Sequence, residues 1–151
     1  MINRYYGWYT KPADIELAVK NLGEELDRTF EKYGKPIVIT EFGADTVEGL
    51  HSTTAQMFTE EFQTEFTLRY LDVIEEREFC AGAHVWNFAD FLTPQHFRRL
   101  ILNKKGVFTR DRNPKSVAFR LRERWNAFEG IADNHRPKKP KPGFLIADIK
   151  K

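Results

Sequence analysis

The segment GKPIVITEFG, running from Gly34 to Gly43, decides the architecture. Pro36 introduces Ile37, Val38, Ile39 and Thr40, a β-branched run too short for a helix and apolar without alternation. Such a run predicts a strand covered on both faces, as in a parallel sheet. It ends in Glu41-Phe42-Gly43. A carboxylate placed directly after an apolar strand is expensive beside an apolar core unless it has partners and a use.

Upstream, Ile15, Val19, Leu22, Leu26, Phe30 and Tyr33 are spaced by 4, 3, 4, 4 and 3 residues, the period of one helix face. The spacing predicts a helix over 14–33, with Gly34 as its C-terminal cap. Before it, the stretch Ile2 to Tyr6, rich in β-formers and followed by Gly7, predicts a strand. Downstream, Thr53 and Gln56 have the spacing of a capping box, and Phe58, Phe62, Phe66, Tyr70 and Val73 form a stripe, so a second helix is expected from about Thr54 to Glu76. Residues Ala81 to Phe88 read as a third strand. After a loop of about 25 residues, Asn113 and Pro114 form a cap and first-turn pair, with Val117, Leu121 and Trp125 following at spacing 4.

Strand and helix thus alternate three times, which argues for parallel strands joined by crossover helices, an α/β fold. A complete (β/α)8 TIM barrel takes about 250 residues, so about three units would make only the C-terminal part of one. A doubly wound open sheet is the alternative, but no G-x-G-x-x-G follows the first strand. In a barrel the C-terminal strand ends meet on the catalytic face, and here those ends carry Asn3 and Tyr5, then Glu41, then Trp86 and Asn87.

Composition fits this reading and removes others. A chain of 151 residues, 41% hydrophobic and 30% charged, has one domain's length and the balance of a globular protein. The net charge of +2 gives no field for nucleic acid or an anionic membrane. The single cysteine, Cys80, forms no internal disulfide, and no histidine stands at metal-ligand spacing from it, so neither a metal nor a cofactor is expected. The N-terminus MINRYYGWYT lacks a basic and apolar leader, and no stretch approaches the roughly 20 apolar residues of a membrane span, so a cytoplasmic location is the expectation.

Four motifs carry a resemblance that periodicity does not supply. NRYYGWY (Asn3 to Tyr9), ITEFG (Ile39 to Gly43), VWNFADF (Val85 to Phe91) and NKKGVFTRDRNPKS (Asn103 to Ser116) resemble, in order and approximate spacing, the C-terminal part of the TIM-barrel catalytic domain of the β-glucuronidases of glycoside hydrolase family 2. The resemblance covers residues 1 to about 128, leaving 129–151 as a basic, Pro/Lys-rich tail expected to be extended. It implies a retaining exo-glycosidase that releases D-glucuronic acid from β-D-glucuronides through a covalent glycosyl-enzyme. Glu41 matches the catalytic nucleophile at the end of barrel strand seven. A second carboxyl, about 5 to 5.5 Å away, must protonate the leaving oxygen. In the family this is the Glu of an Asn-Glu-Pro motif, which this sequence does not contain, so the chain is expected to carry the nucleophile without the acid/base and to be inactive alone.

The resemblance also implies a substrate-binding set. Asn103 and Lys105 match the Asn-x-Lys element that meets the carboxylate of a glucuronide, and Arg99 matches a position near the same group. An ion pair at about 4 Å contributes on the order of 4 kcal/mol before desolvation at an effective dielectric near 20, enough to separate a uronic acid from a neutral hexose. Asn3 and Tyr5 match positions around the sugar, the tyrosine donating to the nucleophile carboxylate, and Trp86 matches the aromatic floor of the sugar site. A cis peptide is implied between Trp86 and Asn87. His84 is as well suited to the core as to the site.

Two departures stand out: Phe42 replaces a common tyrosine, and Arg-Leu-Ile-Leu precedes Asn103 where several relatives have a glycine pair. A β-galactosidase, which needs no cation for a carboxylate, is disfavoured by Lys105; a β-galacturonidase is not. A catalytically silent uronide-binding fragment is the non-enzymatic alternative. The expected partners are β-D-glucuronide small molecules or glycans, with neither nucleic acid nor membrane, and the full-length enzyme is expected to be a homo-oligomer. Arg136, Lys138, Lys139 and Lys141 in the tail give too few charges for more than weak, salt-sensitive nucleic-acid binding.

Overall fold

The computed structural model describes residues 1–127, and the expected extended tail over 129–151 lies outside the described residues. Three parallel strands, β1 (Ile2–Asn3), β2 (Ile37–Phe42) and β3 (Cys80–Val85), form one sheet in the order β1-β2-β3. The helices α1 (Ile15–Tyr33) and α2 (Glu60–Glu75) are the crossovers between them, and α3 (Ser116–Ala127) follows. The missed elements are β4 (Phe91–Leu92) and β5 (Leu102–Asn103), a two-stranded antiparallel ribbon inside the predicted 25-residue loop. Strands this short carry no periodicity from which they could be read.

Helix α1 forms as its sequence dictates. Asp14 caps it by accepting from the Leu17 N–H at 2.9 Å, and Gly34 ends it in the left-handed conformation at φ 56°, donating its N–H to Phe30 O. Only glycine takes that conformation without steric cost. Leu22 and Leu26 face the core completely buried, and across the sheet interface Phe42, Phe66 and Tyr70 stack in turn, Phe42 on Tyr70 at 5.5 Å and Phe66 on Tyr70 at 4.4 Å.

Helix α2 begins later than predicted. The Thr53–Gln56 box is not used; Thr59 is the cap, accepting from the Phe62 N–H at 3.2 Å. Tertiary contacts override the local signal, since Phe58 sits at φ 71° with its ring edge-on to Trp8, and Val47 N–H donates to Phe58 O. Helix α3 likewise starts at Ser116 rather than at Asn113–Pro114, which are tied back in a turn where Thr109 N–H donates to Asn113 O. Glu60, at the start of α2, accepts from both the N–H and the hydroxyl of Ser116, so one helix N-terminus is fastened to the other. Val117 and Leu121 are buried as predicted, whereas Trp125 is exposed.

Among the described residues, strand β2 is fully covered on one face. Ile37, Ile39 and Phe42 are buried against the helices, while Val38 and Thr40 are half-buried on the other face. Strict alternation would put Glu41 with Ile37 and Ile39 in the core. The pairing with β3 is irregular between Ile39 and Phe42, and that slip turns Phe42 inward and frees Glu41. Strand β3 ends at Val85 rather than Phe88, and His84 on it is exposed.

Candidate active site

Because β1, β2 and β3 are parallel, Asn3, Glu41 and Trp86 all come to the same end of the sheet. Asn3 pairs in register with Glu41 across β1 and β2, and its side-chain oxygen accepts from the Thr40 hydroxyl. The chain then folds back in a turn in which Trp8 and Tyr9 N–H groups both donate to Tyr5 O. This turn aims the Tyr5 hydroxyl at Glu41, donating to Oε2 at 2.9 Å. Burial, and then the hydrogen bond to the carboxylate, push the Tyr5 phenol well above its ordinary pKa, so it stays a donor.

Beside Glu41 the ends of β2 and β3 are locked together. Trp86 N–H donates to Phe42 O at 2.7 Å, and a Cβ on Gly43 would lie 2.1 Å from Trp86 O. Glycine is required there by close approach of two backbones. The Trp86–Asn87 peptide is cis, as expected, and the half-buried Trp86 ring stands edge-on to Phe91 at 6.1 Å. Asn87 N–H then donates to Lys105 O, which draws the NKKG turn against the strand ends.

The three residues expected around a uronate come together at that turn, Asn103 and Lys105 within it and Arg99 from the connection between β4 and β5, with one carboxylate that the sequence did not single out. Lys105 is 1% exposed, and its ammonium pairs with Asp45, itself 1% exposed. Arg99 Nη1 reaches the same oxygen of Asp45 at 3.1 Å, and its Nη2 donates to the Tyr9 hydroxyl at 2.7 Å. Asn103 is buried, and its side-chain oxygen accepts from the Lys105 N–H at 3.2 Å. The Lys105 ammonium faces the rings of Tyr9, Trp8 and Tyr5 at 4.9, 5.1 and 5.9 Å. Tyr5 therefore joins the two halves, its hydroxyl on Glu41 and its ring toward Lys105. Asp45 lies four residues beyond Glu41 and Tyr9 closes the NRYYGWY motif, yet nothing in the linear order says that either meets Arg99.

A second buried pair supports the first. Lys115 Nζ donates to Asp90 Oδ1 at 2.9 Å, to Thr46 O at 3.0 Å and to Lys104 O at 2.9 Å. Thr46 follows Asp45 and Lys104 precedes Lys105, so this ammonium clamps the backbone on either side of the Asp45–Lys105 pair. Among the described residues, no three of His, Cys, Asp and Glu converge to hold a metal ion.

Residues 1–130 match the family described as glycosyl hydrolases family 2, TIM barrel domain. The chain belongs to that family. A glycoside hydrolase family 2 assignment explains the three βα units: they are part of a TIM barrel, consistent with its solved relatives. A β-glucuronidase of Paenibacillus borealis is 48% identical over 124 residues, 82% of this chain and 21% of its own length. The structure of the β-D-glucuronidase of Dictyoglomus thermophilum superposes with a TM-score of 0.81 at 48% identity, covering 83% of this chain and 22% of that one. That of Bifidobacterium dentium, complexed with coumarin-3-O-glucuronide, gives 0.80 at 48% identity over 83% of this chain and 20% of that one. The family 2 chain described here spans about a fifth of the length of these relatives.

Proposed function

We propose that this chain is the nucleophile-bearing part of a retaining β-glucuronidase. The observation that carries the reading is Tyr5, whose hydroxyl holds Glu41 Oε2 at 2.9 Å while its ring faces the buried Lys105 ammonium. With Oε2 occupied, Oε1 of Glu41 is the oxygen that attacks the anomeric carbon. The bond to the aglycone oxygen breaks as a carboxylic acid protonates it, giving a glycosyl-enzyme that water then hydrolyses. No Asn-Glu-Pro is present, so the proton donor is supplied by a portion of the barrel outside these 151 residues. Trp86 offers an apolar face to the pyranose, Asn3 lies beside Glu41 to meet a sugar hydroxyl, and Asn103, Arg99 and Lys105 form the pole that accepts the uronate carboxylate.

The test is a chimera in which this chain replaces the segment it aligns with in the Dictyoglomus thermophilum enzyme. Hydrolysis of 4-nitrophenyl β-D-glucuronide, abolished by Glu41→Ala, is the expected result, as is a covalent glycosyl adduct on the Glu41 peptide after reaction with a slow fluorinated glucuronide. A label on another carboxylate, or full activity without Glu41, would refute the assignment. Comparing the galacturonide in the same assay separates the two uronide epimers. The 151-residue chain by itself is expected to show no turnover.

A further inference from the structure

Asp45 takes no part in bond breaking, and its surroundings give it another task. Its Oδ2 receives both the Lys105 ammonium and the Arg99 guanidinium, while Oδ1 accepts from the Lys104 backbone N–H at 2.7 Å. Three donors from one turn and one ribbon fix a carboxylate that is 1% exposed. Lysine is a point charge on a flexible stem, and a wall of rings attracts it without choosing one spot. What sets the place of the Lys105 ammonium along the faces of Tyr5, Trp8 and Tyr9 is therefore Asp45. The same oxygen orients Arg99, whose other terminal nitrogen is held by Tyr9.

The charge count of this cluster is informative. Two cations share one carboxylate, which leaves a surplus of one positive charge in a buried setting. A single further carboxylate balances it, while a neutral hexose leaves it unpaired, at a desolvation cost. We infer that Asp45 is the specificity-determining positioning residue of the site: it holds Lys105 and Arg99 on one oxygen as a two-cation cradle for the carboxylate of a uronic acid sugar. This rests on the functional reading above, in which those cations meet the substrate.

The chimera described above, carrying the whole chain, provides the test. The ratio of kcat/KM on 4-nitrophenyl β-D-glucuronide to that on the matching glucoside is measured for the parent, Asp45→Asn, Lys105→Ala and the double variant, together with thermal unfolding of each. Asp45→Asn is expected to lower the ratio by about tenfold or more, chiefly through KM on the glucuronide. In the Lys105→Ala background the same change is expected to cost clearly less than in the parent, because only the positioning of Arg99 is then left to lose. Asp45→Glu, which keeps the charge and moves the carboxylate by a methylene, should also lower the ratio, and it covers the case in which Asp45→Asn does not fold. Equal losses on both sugars would mean that Asp45 only supports the fold. A raised ratio would mean that it competes with the substrate, and independent losses in the double variant that it acts elsewhere; each overturns the inference.

A parent chimera that cleaves neither sugar counts against the functional reading instead. In that event a 1H–15N titration of the chain with D-glucuronate and with D-glucose decides the role of Asp45. Shifts at Arg99 and Lys105 produced by glucuronate alone, and lost in Asp45→Asn, support it. Shifts from both sugars, or from neither, overturn it.

Discussion

Lys115 and Asp90 meet at 2.9 Å with both side chains essentially sealed from solvent, and the ammonium also takes the carbonyls of Thr46 and Lys104. Asp90 is further held by the Gly106 N–H. Burial pushes the Asp90 carboxyl up and the Lys115 ammonium down from their ordinary values, with the ion pair opposing both shifts. Such a pair adds little net stability by itself, yet losing one partner strands a buried charge at about 3 to 5 kcal/mol.

Lys115→Met is accordingly expected to lower the melting temperature by roughly 10 °C or more at pH 7, following the usual relation between stability and midpoint. The sign of its pH dependence follows from Asp90. With the ammonium gone, the folded-state pKa of Asp90 rises further, so the folded protein binds a proton that the unfolded chain binds only in more acidic solution. Stability from such a group is present below the unfolded value, near 3.9, and lost as pH rises through the folded one. The deficit of the variant against the parent should therefore shrink as pH is lowered from 7 toward 4. Unfolding in denaturant across that range reads it, and a deficit that grew on acidification would contradict the account.

Tyr5→Phe keeps the ring and removes only the donor to Glu41 Oε2. A hydrogen bond to a charged group contributes about 1.5 to 3 kcal/mol to a fold, so the melting temperature of the chain should drop by several degrees, and kcat of the assembled enzyme should fall about 10- to 100-fold because the carboxylate loses the contact that orients its attack. Tyr9→Phe, which instead frees Arg99 Nη2, should act on KM for the uronide. Steady-state kinetics on the two variants separate these roles.

The residues that were legible from sequence are those whose signal is local or carried by a family motif. The 3.6-residue stripe and Gly34 cap of α1 are local, and Glu41 stands at the end of the apolar run that forms β2, so the sequence shows both. The start of α2 could not, because the capping box at Thr53 competes with the packing of Phe58 on Trp8, a contact between residues 50 apart. The slip between Ile39 and Phe42 that releases Glu41 from the core is a pairing property, absent from the strand's own pattern. Asp45, Asp90 and Lys115 read as ordinary charges in sequence. Their burial comes from the turn at 103–107 being pulled onto the strand ends, where each needs a partner of opposite sign.

Gly43→Ala tests how firmly β2 and β3 must close beside the site. The added Cβ would lie 2.1 Å from Trp86 O, a backbone atom that cannot rotate away. The two strand ends must part by an ångström or more, which strains the Trp86 N–H to Phe42 O bond and shifts Glu41 and Trp86 together. Overpacking of this kind is expected to destabilise the chain by about 1 to 3 kcal/mol, and the displacement to reduce turnover of the assembled enzyme on uronide and glucoside alike. Unchanged melting and unchanged kinetics would show that the ends open freely.

Lys105→Ala asks whether the buried ammonium serves the substrate or only the fold. Its removal leaves Asp45 with Arg99 and the Lys104 N–H, so the carboxylate keeps partners, and the cluster passes from a surplus of one positive charge to balance. A balanced cluster has nothing further to offer a uronate, whereas a glucoside never engaged the charge. The expected outcome is a fall in kcat/KM on the glucuronide by about 100-fold, the scale of an ionic contact of about 3 kcal/mol, with a much smaller loss on the matching glucoside. The two ratios, before and after the change, are the measurement. Equal losses on both substrates would make Lys105 a structural lysine and remove the physical basis for preferring a uronic acid over a neutral sugar at this site.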